Sequence, residues 1–294
     1  MNSSAFKVWL NAARPQTLAA AFIPVLVGAS IAYRHDSLLW DATLVAMFCA
    51  FAIQIGTNFA NDYFDFVKGA DTEDRIGFKR ATASGAVAPQ TMLRATILTM
   101  FIAFLAGLYL VWIGGWVVLW IGLLSLLFGI LYTGGPFPLG YNGLGDIFVF
   151  IFFGFVAVMG TTYVNTLEWS EQAFWASVPV GALCVNILVV NNLRDVEQDK
   201  ITGKRTLGVL FGESALKVEY VSMIAVAYLT PVYFYYFLDY SIFIILPYLS
   251  ILFAWNLTKE VWHHEDKRSL NNTLERTAKL MVVFGFLFAA GLIL

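Results

Sequence analysis

Apolar and polar positions divide this chain into blocks too long for a water-soluble fold. Nine stretches of roughly 17 to 24 residues are nearly free of charge, at about 17–33, 38–61, 91–113, 116–133, 146–165, 173–193, 218–238, 240–257 and 278–294. A hydrocarbon core about 30 Å thick takes about 20 apolar residues at about 1.5 Å rise. Each stretch is therefore predicted to be a transmembrane helix, and the chain an all-α polytopic bundle of about nine such helices. Lys7 and Arg14 precede the first stretch as they would in a signal sequence. Eight further stretches, with no small-residue cleavage site before a soluble domain, argue against its removal.

Charge distribution supports that count independently. Lys7 and Arg14 lie before the first stretch, and Lys68, Arg75, Lys79, Arg80 and Arg94 cluster around the connection after the second. Arg194, Lys200, Lys204, Arg205 and Lys217 follow the sixth, and Lys259, Lys267, Arg268, Arg276 and Lys279 follow the eighth. With nine spans, 17 of the 18 Lys and Arg fall on one face, leaving only Arg34 on the other. Cytoplasmic loops retain basic residues, so the N-terminus is expected inside and the C-terminus outside.

Composition then narrows the function. The chain is 59% hydrophobic, 16% aromatic and only 13% charged, against roughly 25% charged for an ordinary soluble domain. A formal charge of −2 leaves no basic excess for general nucleic-acid binding. Cys49 and Cys184, the only cysteines, sit in apolar runs and read as packed small hydrophobes.

Function is sought in two polar stretches, 62–90 and 194–217, because loops carry function while apolar spans mostly carry packing. The first follows Asn58-Phe59-Ala60-Asn61-Asp62-Tyr63-Phe64-Asp65 and continues through Asp71 to Gly77-Phe78-Lys79-Arg80. The second opens Asn191-Asn192-Leu193-Arg194-Asp195 and continues through Asp199 to Gly203-Lys204-Arg205-Thr206. Each places an Asp four residues after an Asn at a span's end: Asn61 to Asp65, and Asn191 to Asp195 to Asp199. The recurrence four spans apart predicts two four-helix repeats plus a ninth helix within a single domain, residues 1–294. Residues i and i+4 share a helix face, about 6 Å apart along the axis. Each motif thus offers a stripe of oxygen ligands, and like-charged carboxylates at that spacing repel unless a cation lies between them. Mg²⁺ suits such a site, since it takes carboxylate and amide oxygens and completes its shell with water and substrate phosphate. Lys79, Arg80, Arg194, Lys204 and Arg205 can balance the remaining charge of a diphosphate. A solvated loop whose acids satisfy nearby bases explains any single Asp equally well, but not the duplicated constellation.

These residues resemble the UbiA superfamily of intramembrane aromatic prenyltransferases. The similarity is carried by Ala13-Arg14-Pro15-Gln16-Thr17-Leu18, by the two Asn/Asp motifs with Gly69-Ala70-Asp71 and Gly203-Lys204-Arg205-Thr206-Leu207, by Gly212-Glu213, and by Tyr141-Asn142-Gly143-Leu144-Gly145-Asp146. Together with the nine spans they cover most of the chain. The similarity is greatest to the branch that acts on 1,4-dihydroxy-2-naphthoate. The resemblance implies a bacterial cytoplasmic-membrane enzyme that uses Mg²⁺ to move a polyprenyl group from polyprenyl diphosphate onto that acceptor, with loss of its carboxylate, in menaquinone biosynthesis. It also implies that Asn61, Asp65, Asp195 and Asp199 are the Mg²⁺ and diphosphate ligands, with Asn191 on the same stripe. The superfamily pattern has another Asp four residues beyond Asp65, where this chain has Gly69, leaving Asp71 as the available acid.

Arg14 before Pro15 fits either a helix-start anchor or contact with a substrate anion. Tyr141, Asn142 and Asp146 occupy a connection without a single Lys or Arg; Asp146 either favours a helix N-terminus or belongs to the acceptor site. Two alternatives stand beside this reading. The first is another acceptor, such as 4-hydroxybenzoate, homogentisate or a porphyrin-derived alcohol. The second is a membrane transporter, which would place ionisable groups at mid-span; here the acids gather at span ends.

Overall fold

The computed structural model describes residues 5–71, 76–77 and 80–294; Lys79 and Arg75 lie outside them. Among the described residues all regular structure is helical. A short α1 (Ala5–Ala13) bends by 50° into α2 (Ala19–Arg34) through Arg14, which adopts a left-handed conformation. There follow α3 (Trp40–Val67), α4 (Pro89–Leu131), α5 (Gly145–Val149) and α6 (Ala157–Thr166), then α7 (Glu171–Ile201), α8 (Leu207–Phe211), α9 (Glu213–Phe237), α10 (Ile251–His263) and α11 (Leu270–Ile293).

At 43 residues α4 would reach about 64 Å, roughly twice a bilayer's hydrocarbon core. It does not run straight. Gly115 sits at φ 66°, ψ −154°, a region open essentially to glycine alone, and there the chain doubles back. Gly129 and Met100 flank Gly115 at nearly equal sequence distance, yet a Cβ on Gly129 would lie 3.5 Å from Met100 Cε and 2.7 Å from Thr57 Oγ1. The two halves of α4 thus form a hairpin against α3 and make two spans, matching the predicted runs 91–113 and 116–133. Among the described residues seven helical stretches are long and apolar enough to cross a membrane; α4 counts twice, and the bent α1–α2 pair supplies one more. The result agrees with nine spans.

The central element is α7, whose spanning window is 72% buried. It packs against α2, α6, α9 and α11, within a buried core that includes Leu183, Val189, Val190, Leu193, Tyr220, Phe284 and Phe288. One contact requires glycine on both sides. A Cβ on Gly154 would fall 2.8 Å from the Ser177 carbonyl oxygen, and one on Gly181 2.9 Å from that of Phe150, the close backbone approach that small residues permit in membranes. Residues Phe150–Val156, between α5 and α6, form a π-helical stretch at this crossing; such wide turns recur at functional sites. Exposed Trp40, Trp112, Trp116 and Trp169 gather at the end opposite the Asn/Asp motifs, as in an interfacial aromatic belt. This is an integral membrane protein.

The structure corrects the expectation for the ends of the second and sixth runs. The polar stretches after the second and sixth runs are not loops from the outset: α3 continues to Val67 and α7 to Ile201. Both motifs are therefore helical, and their polar residues face inward. Asp62, Asp65, Asn192, Asp195 and Asp199 are all buried.

Candidate active site

The two motif helices end in the same way. In α3 the N–H groups of Lys68, Gly69 and Ala70 donate to the carbonyls of Phe64, Phe66 and Asp65; in α7 those of Thr202, Gly203 and Lys204 donate to Gln198, Lys200 and Asp199. Gly69 and Gly203 hold left-handed φ values of 67° and 78°, the geometry that closes a helix on glycine. Matching these termini pairs Asn58 with Asn192, Asn61 with Asp195, and Asp65 with Asp199. The sequence had paired Asn61 with Asn191, one helical turn away. The missing acid of the first motif also acquires a structural place: Gly69 is the residue at which α3 stops.

Both stripes open onto one cavity of about 420 Å³. Its polar end is lined by Asn61 and Asp65 from α3, Asn191, Asn192, Asp195 and Asp199 from α7, and Arg80, Tyr141 and Lys204 from the connections. Asp65 is the hub. It accepts from the Tyr141 hydroxyl at 2.6 Å and from Arg80 Nη2 at 3.1 Å, with Lys204 Nζ at 3.4 Å. Arg80 also lies 3.4 Å from Asp71. The Tyr141 ring is flanked by two ammonium groups, Lys204 at 4.6 Å and Lys68 at 4.8 Å from its centroid. Lys68 donates to the Thr133 carbonyl at 2.6 Å, and the Thr133 hydroxyl donates to Asn61 Oδ1 at 2.8 Å. Burial raises the Tyr141 phenol well above its ordinary 10, and the Asp65 charge adds to the rise. Its role beside Asp65 is thus that of a protonated donor. Burial lowers Lys68 from its ordinary value, against the pull of Asp65.

The Arg194 side chain is positioned differently from the expectation. The residue is 2% exposed and lies off the cavity wall, with its guanidinium bonded to protein groups. Nε and Nη2 donate to the two oxygens of Asp195 at 2.7 Å each, Nη2 also to Asn191 Oδ1 at 2.8 Å, and Nη1 to Asn271 Oδ1 at 2.9 Å. It braces the second stripe from behind instead of offering a free donor to a diphosphate. Four more predicted residues stay off the cavity wall. Arg205 is exposed and contributes its backbone N–H to the Tyr141 carbonyl at 2.8 Å. Asn142 donates to the Pro138 carbonyl at 2.7 Å. Asp71 holds Arg80, and Asp146 is buried away from the cavity at the start of α5. Lys79 lies outside the described residues.

Some residues here were not anticipated. Asp62 accepts from the N–H groups of Ala81 and Thr82, each at 2.9 Å, folding the connection back so that Arg80 reaches Asp65. Its adjacency to Asn61 was the only available signal. A second polar patch lines the cavity beside Arg14. Thr17 Oγ1 donates to the Arg14 carbonyl and accepts from Gln54 at 3.1 Å and Asn58 at 3.0 Å. Beyond these patches the walls are apolar and aromatic, including Phe104, Phe128, Phe148, Phe152 and Phe153, and continue to Leu110 and Val118 near the Gly115 turn.

Among the described residues no three of His, Cys, Asp and Glu converge closely enough to cage a metal by themselves. The Asn and Asp side chains at the polar end of the cavity nonetheless offer oxygens from two helices. That arrangement fits Mg²⁺, which binds through one or two carboxylates plus substrate phosphates rather than in an all-protein cage.

Comparison with known proteins places this geometry in a family. A protein named 1,4-dihydroxy-2-naphthoate octaprenyltransferase from Escherichia coli is 34% identical, the match covering 98% of this chain and 96% of that one. A protein of the same name from Mycobacterium tuberculosis is 38% identical over 76% of each. A solved UbiA homologue from Archaeoglobus fulgidus, bound to DMAPP and Mg²⁺, superposes with a TM-score of 0.68 at 14% identity, covering 95% of this chain and 98% of that one, and so shares the fold. Residues 21–291 match the UbiA prenyltransferase family, and the chain belongs to that family.

Proposed function

We propose that this enzyme transfers a polyprenyl group from polyprenyl diphosphate to 1,4-dihydroxy-2-naphthoate with decarboxylation, giving demethylmenaquinol for menaquinone biosynthesis. One observation carries the reading. Two separate helices bring matching Asn/Asp stripes, and the connections bring Arg80 and Lys204, to the polar end of a cavity whose remaining walls are mainly apolar. A diphosphate with an isoprenoid tail has that same division. The family and the names of the E. coli and M. tuberculosis relatives support the acceptor.

In this proposal the diphosphate lies between the stripes, with Arg80 and Lys204 as donors to its oxygens. Asn61, Asp65, Asn191, Asp195 and Asp199 would hold Mg²⁺. When bound, the metal supplies charge neutralisation at the departing diphosphate, lowering the barrier to C–O cleavage. Tyr141 and Arg80 keep the Asp65 carboxylate oriented, and Arg194 does so for Asp195. The aromatic walls exclude water and turn π faces toward the allylic carbon as positive charge develops there. The acceptor lies toward Arg14, Gln16, Gln54 and Asn58, where Arg14 can meet its carboxylate. As the ring carbon that bears the carboxylate bonds to the allylic carbon, the diphosphate leaves with the C–O electron pair; loss of CO₂ from that same carbon then returns the electrons of the C–C bond to the ring. A base for a ring C–H is unnecessary. The repeated helix termini support two pseudo-repeats plus a ninth helix. The basic asymmetry supports a cytoplasmic opening, with the N-terminus inside and the C-terminus outside.

The test supplies carboxyl-labelled 1,4-dihydroxy-2-naphthoate and a prenyl diphosphate to purified enzyme with Mg²⁺. Labelled CO₂ should appear in step with prenylated product. EDTA should stop turnover until Mg²⁺ is restored, and Asp65→Ala and Asp195→Ala should each abolish it in folded protein. A product that retains the label, or a preference for 4-hydroxybenzoate, refutes the acceptor; near-normal turnover by either variant refutes its ligand role.

A further inference from the structure

The first turn of α11 lies off the cavity wall, yet it ties the two motifs together. Asn271 Oδ1 accepts from Arg194 Nη1 at 2.9 Å, while Asn271 Nδ2 donates to the Ile76 carbonyl at 3.2 Å. Arg194 is the residue that chelates Asp195 and holds Asn191. Ile76 belongs to the connection between Asp71 and Arg80, the two residues that flank Asp65 through their mutual ion pair. The same corner grips α7 at a second point: Lys267 Nζ, paired with Glu213, donates to the Leu193 carbonyl at 2.9 Å.

We propose that Asn271 is a positioning residue that couples the two halves of the diphosphate site, fixing Asp195 through Arg194 and the Asp65–Arg80 side through Ile76. A carboxamide is suited to this place. It presents an acceptor to a guanidinium and a donor to a carbonyl at once, which neither Asp nor Ala can do. The two stripes sit on separate helices, and elements behind them link their surroundings. Tyr141 supplies one such link from the connection before α5, through its hydroxyl to Asp65 and its carbonyl to Arg205. Asn271 supplies another from the far side. This inference rests on the proposed diphosphate chemistry.

The experiment uses the full-length enzyme in detergent with Mg²⁺, geranyl diphosphate and 1,4-dihydroxy-2-naphthoate. Asn271→Ala should lower kcat/KM for the donor roughly tenfold, the scale of losing an outer support for a ligand, while the KM for the acceptor stays within about twofold. Asn271→Asp keeps a partner for Arg194 but loses the donor to Ile76 and should fall between wild type and Asn271→Ala. In an Arg194→Lys background, which retains a charge beside Asp195 but not the fork that reaches Asn271, adding Asn271→Ala should cost less than it does in wild type, because contacting residues are coupled rather than additive. Trypsin cleavage after Arg80 should be faster in Asn271→Ala than in wild type, a readout that needs no turnover. Donor kcat/KM within twofold of wild type, fully additive costs in the double variant, or unchanged cleavage after Arg80 would each overturn the coupling. Absence of transfer in the wild type with any donor and acceptor would instead overturn the proposed function, leaving the cleavage comparison to decide the coupling alone.

Discussion

Replacing Tyr141 by Phe isolates a single hydrogen bond at the centre of the candidate site. The change removes the hydroxyl that donates to Asp65 at 2.6 Å and keeps the ring against which Lys68 and Lys204 stack. A hydrogen bond to a charged group contributes about 1.5–3 kcal/mol. The Asp65 carboxylate is not left bare, since Arg80 at 3.1 Å and Lys204 at 3.4 Å remain, so the lower part of that range applies. About 1.5–2 kcal/mol corresponds to about a 10- to 30-fold loss in kcat/KM for the prenyl diphosphate. The acceptor KM should stay near its wild-type value, because the lost hydroxyl is bonded to Asp65, whereas the patch at Thr17, Gln54 and Asn58 is held by its own hydrogen bonds.

The pH dependence gives a second readout. The phenol is held above its ordinary 10 mainly by burial and then by the Asp65 charge, so the variant's deficit should be constant between about pH 7 and 9. A group whose folded pKa is raised adds stability that is complete below its unfolded pKa and is lost as pH rises through the folded value. Wild type should therefore lose stability above pH 10 more steeply than Tyr141→Phe in thermal unfolding followed by circular dichroism. A variant within twofold of wild-type kcat/KM, or a deficit that vanishes between pH 7 and 9, would refute the assignment of Tyr141 as the neutral donor that orients Asp65.

Gly115→Ala tests the helical hairpin: a Cβ there meets nothing within 4 Å, so the cost is backbone strain alone, about 1–3 kcal/mol. A lower Tm is expected, and unchanged thermal unfolding would contradict the turn. Membrane topology can be read with an impermeant maleimide on intact cells, in which His35→Cys and Glu168→Cys should label and Lys200→Cys and Glu265→Cys should label only after permeabilisation. The native Cys49 and Cys184 are buried and give little background; outside labelling at position 200 would refute the cytoplasmic opening.

Helix number and the two Asn/Asp stripes that line the cavity were legible in the sequence because each rests on a local pattern. Apolar runs set the spans, and Gly114-Gly115 already divided the third run from the fourth. What could not be read locally was direction. On a helix, a polar residue two turns past the last apolar run is equally compatible with a solvated end and with an inward face, so spans ending near 61 and 193 seemed complete when α3 and α7 in fact run on to Val67 and Ile201. Arg194 shows the same limit at one position. Adjacent to Asp195 in sequence, it counts as a site cation by composition, yet its fork closes on the back of that carboxylate and on Asn271, 77 residues away. The register of the repeat was hidden for a related reason. Residue type favours pairing Asn61 with Asn191, whereas the glycine-closed termini pair it with Asp195. An amide and a carboxylate can occupy equivalent places because each presents an oxygen, which is what the proposed Mg²⁺ and diphosphate require there, while charge balance can be met elsewhere. The first motif has fewer acids on its stripe than the second, and it compensates through a connection that turns on Asp62 to bring Arg80 and Asp71 beside Asp65.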